Sequence, residues 1–330
     1  MRYLIFGAGY IAPINTKALM ACEDVTIAGI CNRTAAKAEA MCRELGLSCP
    51  VYTDVKQALD EVRPDAALIC VFNDQHKEYF LECAERGIHV LVEKPLANIP
   101  ADCAEMMDAA SGYGIRVSVL QTQRYGSVLT TAKKYICEHG AELGELTSVT
   151  DVLSCNYFWN GRSPWHLDNA RSGGGIVLNY GVHQLDRIHW LMEDKTAEFH
   201  ACYTKKKEGI DTFSSYTMMG VSSLGIPYTA CCQGYSGPNI NELTLTFTNK
   251  TLRIMLAGCG PLERGVYAGD TASGAFTLVP LSCEDGEGGH EMYVREMKEA
   301  SAYISGKTDV PPVSMEWASE MVRLCCLGFA

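Results

Sequence analysis

Two side chains of this 330-residue chain stand where proton chemistry could be done. Lys94 follows the apolar run Val90-Leu91-Val92 and Glu93, and precedes Pro95. Such a run suits a buried strand of a parallel sheet, and Pro95 cannot continue its ladder. Glu93 and Lys94 then fall at the carboxyl end of the strand, the edge at which open α/β sheets bind ligands. Taken alone, Lys94 also reads as a solvated strand-end lysine. His183 lies in the block from Gly173 to Asp186, where three glycines lead into a helix. Asn179, His183 and Asp186 have the spacing i, i+4, i+7, which places them on one helical face as a polar cavity wall. The bland alternative is a solvated helix face or a satisfied core histidine. An imidazole in a cavity can take a hydroxyl proton, and an ammonium can stabilise the oxygen left behind. One His and one Asp, with no H-x-x-x-H and no cysteine pair, make no metal site.

The elements that must position Lys94 begin at the amino end. Residues 2–6 read as a strand, and Gly7-Ala8-Gly9-Tyr10-Ile11-Ala12 follows at a turn into a helix. G-x-G-x-x-A in that setting is a dinucleotide site: a tight turn, close backbone approach to a pyrophosphate, and small-residue packing of helix on strand. The helix start favours phosphate charge. Strands at 25–31, 66–72, 88–92 and 115–120 alternate with helices at 34–45, 53–62, 74–86 and 100–113. Repeated βα units imply a doubly wound parallel sheet with Gly7, Cys31, Cys70 and Glu93 along one edge. At the second strand end the chain reads Cys31-Asn32-Arg33-Thr34, without the carboxylate that usually binds a ribose hydroxyl. Arg33 and Thr34 suit a 2′-phosphate, so NADP is accepted and favoured. The alternative is NAD held through Asn32 with Arg33 stacked on adenine.

Beyond residue 122 the pattern changes. A helix at 127–139 precedes long alternating segments at 145–158, 197–203, 212–219, 228–234, 243–248, 252–256 and 276–279. These predict a mostly antiparallel sheet with one covered and one open face. Residues 258–274 and 283–289 read as loops, and 291–305 and 314–329 as closing helices. The division is a dinucleotide-binding domain at 1–122 and a substrate-binding α/β domain at 123–330.

Composition bounds the partners. A net charge of −11 argues against nucleic acid and anionic membranes. Lys205-Lys206-Lys207 is the longest basic run and reads as a solvated loop. No apolar stretch reaches membrane-spanning length. Met1-Arg2 leads straight into a strand with no signal peptide, so the 16 scattered cysteines read as reduced thiols in a cytoplasm. The closing helix is short after Phe329, which leaves open a natural chain continuing past Ala330.

With these residues in hand, the chain resembles the Gfo/Idh/MocA oxidoreductase family. The likeness rests on Gly7-x-Gly9-x-x-Ala12, on Val71-Phe72-Asn73-Asp74-Gln75-His76 where the family often has T-P-N-x-x-H, and on Glu93-Lys94-Pro95. It continues through Gln123-Arg124-Tyr125 and the Gly173 to Asp186 block. It implies a Rossmann domain followed by an α/β domain whose open sheet face forms a homodimer or homotetramer. Cofactor contacts are implied for Gly7, Gly9, Tyr10 and Ile11, for Asn32, Arg33 and Thr34, and for Val71, Asn73 and His76. Glu93, Lys94 and Gln121 complete that set, with Glu93 orienting the nicotinamide ribose. The family's catalytic lysine and histidine map to Lys94 and His183, and Lys94–Pro95 is expected as a cis bond. Many members have Asp where this chain has Asn179, which weakens a proton relay there and leaves an amide for a sugar hydroxyl. Arg124, Tyr157, Trp165, His166 and Asp186 are candidates beside Lys94, Asn179 and His183 for the substrate, although Tyr157 and Trp165 read equally as core aromatics. The implied reaction is NAD- or NADP-dependent interconversion of a secondary alcohol and ketone on a sugar, cyclitol or related polyol. The rivals are a redox-neutral NAD-dependent glycosidase and a non-catalytic dinucleotide-binding regulator.

Overall fold

The computed structural model describes residues 1–205, 209–235, 238–257, 263–270 and 273–329. In chain order the first elements are β1 (Arg2–Phe6), α1 (Ile11–Met20), β2 (Thr26–Cys31), α2 (Ala35–Leu45), β3 (Val51–Tyr52) and α3 (Val55–Val62). There follow β4 (Ala66–Ile69), α4 (His76–Ala84), β5 (His89–Glu93), α5 (Pro100–Tyr113), β6 (Val117–Leu120) and α6 (Ser127–Leu143). The chain continues through β7 (Leu146–Ser154), α7 (Asn169–Ser172), α8 (Val182–Met192), β8 (Thr196–Thr204), β9 (Ser215–Ser222) and β10 (Pro227–Gln233). It closes with β11 (Ile240–Phe247), β12 (Lys250–Met255), β13 (Gly265–Asp270), β14 (Phe276–Val279), α9 (His290–Ile304) and α10 (Met315–Cys326).

These elements form two units, residues 1–122 with 286–322, and residues 123–285 with 323–330. Residues 286–322 thus return to the first unit, where the sequence reading placed them in the second. The cause is the apolar stripe of α9: Val294, Met297, Ala300 and Ile304 are buried in the same core as Tyr3, Ile5, Leu19 and Ile30. A stripe of that spacing must cover something, and here it covers the first sheet beside α1.

The first unit is a parallel sheet in the order β3-β2-β1-β4-β5-β6. The middle residues of its central strands are apolar and fully buried, as two-sided coverage requires: Leu4, Ile5, Phe6, Leu68, Ile69, Leu91 and Val92 all have 0% exposure. Every strand points the same way, so Gly7, Cys31, Cys70 and Glu93 share the carboxyl edge. The two-residue β3 escaped the sequence reading because it is too short to show a period.

The second unit holds eight strands in the order β14-β13-β12-β11-β7-β10-β9-β8, antiparallel except for β7 beside β10. The alternation is physical. On β9, Tyr216 and Met218 are buried while Thr217 and Met219 face outward. α6 lies on β12 and β13, and α8 on β7 and β10. Within the stretch expected as a loop at 258–274, β13 is a strand; residues 258–262 and 271–272 lie outside the described residues, as do Lys206 and Lys207. Gly265 and Gly269 hid that strand. A Cβ on either would meet Leu278 or the Phe276 ring of β14 at 2.8 or 2.7 Å, so the glycines make room for the neighbouring strand's side chains. No helix among the described residues is long and apolar enough to cross a membrane.

Candidate active site

In the first unit the glycine turn is built as its residues require. Gly7 has φ +105°, and a Cβ there would lie 2.3 Å from the Cys70 carbonyl oxygen, so only glycine lets β1 end against β4. A Cβ on Gly9 would meet nothing within 4 Å, leaving open the side from which a phosphate would approach the start of α1. Tyr10 is 89% exposed at that start, and Ile11 begins the helix. Asn32 is committed to the turn. Its Oδ1 accepts from Ala8 N at 3.1 Å and its Nδ2 donates to the Thr34 carbonyl at 2.9 Å. Arg33 and Thr34 beside it are exposed. This edge fits a dinucleotide: open backbone at the glycines, and an exposed guanidinium and hydroxyl at the next strand end.

Glu93 and Lys94 follow on the same edge. Glu93 is 8% exposed, accepts from Asn15 Nδ2 at 2.7 Å, and accepts from the Lys94 backbone N at 3.1 Å. Burial pushes its carboxyl up; Lys94 and Asn15 oppose that shift. Lys94 is half-buried, and the Lys94–Pro95 bond is cis. Asn15 went unnoticed in the sequence. Its signal is an amide among apolar residues of α1, at 0% exposure.

Two expected cofactor contacts are corrected. His76 has 0% exposure, with Nδ1 2.9 Å from the Pro95 carbonyl and Nε2 3.3 Å from the Val71 carbonyl. Burial pushes its pKa down against the pull of the neighbouring carbonyls, and a neutral ring donates its single N–H to one of the two. It braces the turns around Val71 and Pro95 from within. Gln121, at the end of β6, is 1% exposed and likewise faces the interior. Val71 and Asn73 are half-buried and remain on the rim.

In the second unit the glycine block is tight. Gly173, Gly174 and Gly175 all have positive φ, and a Cβ on Gly174 or Gly175 would strike Phe329 or Thr212 at 2.6 Å. Val177–Gly181 is then a π-helical turn that runs into α8. The wider turn shifts the phase of the helix, and the expected single face of Asn179, His183 and Asp186 is corrected. Asn179, Tyr180 and His183 are half-exposed, whereas Asp186 is 1% exposed. Asp186 accepts from Arg124 Nε at 2.9 Å and from Nη2 at 2.6 Å, a bidentate pair that holds Asp186 in the interior and leaves Arg124 partly exposed. Tyr157 is buried at 0%, so of its two readings the core aromatic holds. Its hydroxyl lies 3.5 Å from Asn179 Nδ2. Trp165 and His166 are half-exposed and stacked at 3.8 Å.

Residues 1–121 match a family model described as an oxidoreductase family with an NAD-binding Rossmann fold, and residues 131–252 match the GFO/IDH/MocA C-terminal domain. The chain belongs to the Gfo/Idh/MocA oxidoreductase family. It is 26% identical over 197 residues to D-glucoside 3-dehydrogenase of Escherichia coli, covering 58% of this chain and 54% of that protein. It is 25% identical over 201 residues to myo-inositol 2-dehydrogenase of Thermotoga maritima, covering 61% and 58%. These matches span little more than half the length of the relatives. Levoglucosan dehydrogenase, solved with NADH and levoglucosan, has the same fold: TM-score 0.84 over 98% of this chain and 95% of that one, at 17% identity. As a Gfo/Idh/MocA member the chain carries an NAD-binding Rossmann domain.

Proposed function

We propose that this chain is a dehydrogenase or reductase that interconverts a secondary alcohol and a ketone on a sugar, cyclitol or related polyol. The observation that carries the reading is Lys94: half-buried, at the carboxyl edge of the parallel sheet, on the same edge as the glycine turn, with its backbone fixed by Glu93. The dinucleotide, when bound, supplies the hydride donor or acceptor. Gly7, Gly9, Tyr10 and Ile11 hold its phosphates, and Arg33 and Thr34 its adenosine end. His183 takes the hydroxyl proton in the oxidative direction and returns it in reduction. The Lys94 ammonium donates a hydrogen bond to the same oxygen and stabilises its developing charge. Asn15 and Glu93 position Lys94. The names of the relatives, which act on a glucoside and on an inositol, support the substrate class.

A panel of sugars, inositols and their keto forms, followed at the nicotinamide absorbance with NAD and NADP, tests the reading. Tight dinucleotide binding with no turnover of any member would overturn it.

The open Arg33 and Thr34 support NADP as the favoured dinucleotide. Arg33→Ala is expected to lower kcat/KM for NADPH about 10-fold or more with little change for NADH, since a charge-assisted bond to phosphate is lost. Equal or better efficiency with NADH in the parent protein would end the preference.

A further inference from the structure

The arginines of the second unit are mostly spoken for: Arg124 by Asp186, Arg187 by Asp151, Arg253 by Glu242 and Arg264 by Asp285. Arg162 differs. Its Cζ lies 3.6 Å from the Tyr157 ring centroid, and its Nη2 lies 3.5 Å from His166 Nδ1. The Tyr180 phenol is a further neighbour. Its Nε is buried without a hydrogen-bond partner. Among the described residues, no carboxylate pairs with this guanidinium. A guanidinium stays charged in a protein, and a half-buried one without an anion leaves desolvation uncompensated. Stacking on an aromatic face offsets only part of that.

The surroundings point to a ligand. Tyr157 lies edge-on to Tyr180 at 5.6 Å and beside Asn179, and these two residues of the π-helical turn are half-exposed, as is His183 at the start of α8. The Arg162 cluster therefore borders the part of the second unit that carries His183. Its other members are hydroxyl, amide and imidazole groups, which suit the hydroxyls of a polyol. The Cys155 thiol is drawn below its ordinary value by its bond with Cys232 and, against burial, by the nearby Arg162 charge.

We propose that Arg162 determines substrate specificity by binding an anionic group, a carboxylate or a phosphate, on the sugar or polyol. A planar fork of N–H donors matches both groups. The inference rests on the oxidoreductase reading above and narrows its substrate to acidic sugars or polyols.

Calorimetric binding to the full chain in the presence of NAD tests it with matched ligands: D-glucose, D-glucuronate and D-glucose 6-phosphate; D-galactose, D-galacturonate and D-galactose 6-phosphate. At least one acidic member is expected to bind on the order of 10-fold or more tightly than its neutral counterpart. The uronate and phosphate arms identify which anion is meant. Arg162→Gln should erase that advantage, and Arg162→Lys should keep part of it. A thermal melt confirms that each variant is folded. Equal binding of acidic and neutral members, an advantage that survives in Arg162→Gln, or no acidic member bound at millimolar concentration overturns the inference. An Arg162-dependent advantage without turnover of any member supports anion recognition and removes the redox reading instead.

Discussion

Lys94→Ala is expected to lower kcat about 10²- to 10⁴-fold while leaving dinucleotide affinity within a few-fold of the parent. The separation follows from where the residue sits. The proposed dinucleotide contacts are backbone and small residues, Gly7 and Gly9, with Arg33 and Thr34 at the next strand end. None of these depends on the Lys94 side chain. In the proposed reaction the ammonium acts on the oxygen whose charge changes, so its loss falls on turnover. His183→Ala should behave alike, and if both groups serve one oxygen as proposed, the double variant should lose less than the product of the single effects. Steady-state kinetics on the substrate found in the panel, with dinucleotide binding followed by fluorescence, give both quantities. Parent-like kcat in either single variant would remove that residue from the proton path.

Asn15 supports Glu93, which in turn accepts from the Lys94 backbone. A carboxylate at 8% exposure is costly unless it is bonded, and Glu93 has the Asn15 amide at 2.7 Å and the Lys94 N–H at 3.1 Å. The bond joins residues 78 positions apart. No local pattern could reveal it, although the amide in an apolar helix was a visible anomaly.

The same division separates what was legible from what was not. Gly7-x-Gly9-x-x-Ala12 could be read because its meaning is local: a strand, a turn and a helix within a few residues of one another. Val90-Leu91-Val92 could be read because two-sided burial forbids polar residues. The i, i+4, i+7 spacing of Asn179, His183 and Asp186 misled because it assumed 3.6 residues per turn across a π-helical turn. Asp186 looked like a pocket residue because its partner, Arg124, lies 62 positions away. Nothing in the local sequence marks out Arg162. Its stacking on Tyr157, and the lack of a carboxylate beside it among the described residues, are properties of the folded loop alone. The stripe of α9 was visible, but a stripe states only that a helix is covered and not by which sheet.

Arg187→Met is expected to destabilise the second unit by about 3–5 kcal/mol. Arg187 is 1% exposed and Asp151 0%, with Nε and Nη2 each 2.5 Å from a carboxylate oxygen. Gln184 donates to Asp151 Oδ1 at 2.5 Å and accepts from the buried Tyr216 hydroxyl, and Arg187 Nη1 reaches Gln123 Oε1 at 3.3 Å. The network ties α8 to β7 and β9, with its donors and acceptors answered. Removing the guanidinium leaves a buried carboxylate with the Gln184 amide alone, which is why one partner's loss should cost far more than the pair is worth. Replacing both, as Asp151→Leu with Arg187→Met, should recover most of the loss, because the charge that needed compensation is gone. Urea denaturation of the three variants measures this, and a loss below about 1 kcal/mol in Arg187→Met would show that the network is not what holds the helix. The consequence for function is rotational. Gln184 and Arg187 fix which side of α8 is buried, and His183, one residue before Gln184, is thereby left half-exposed. The double variant should therefore regain stability without regaining full turnover, since two apolar side chains restore burial but no longer dictate the rotation that presents the imidazole.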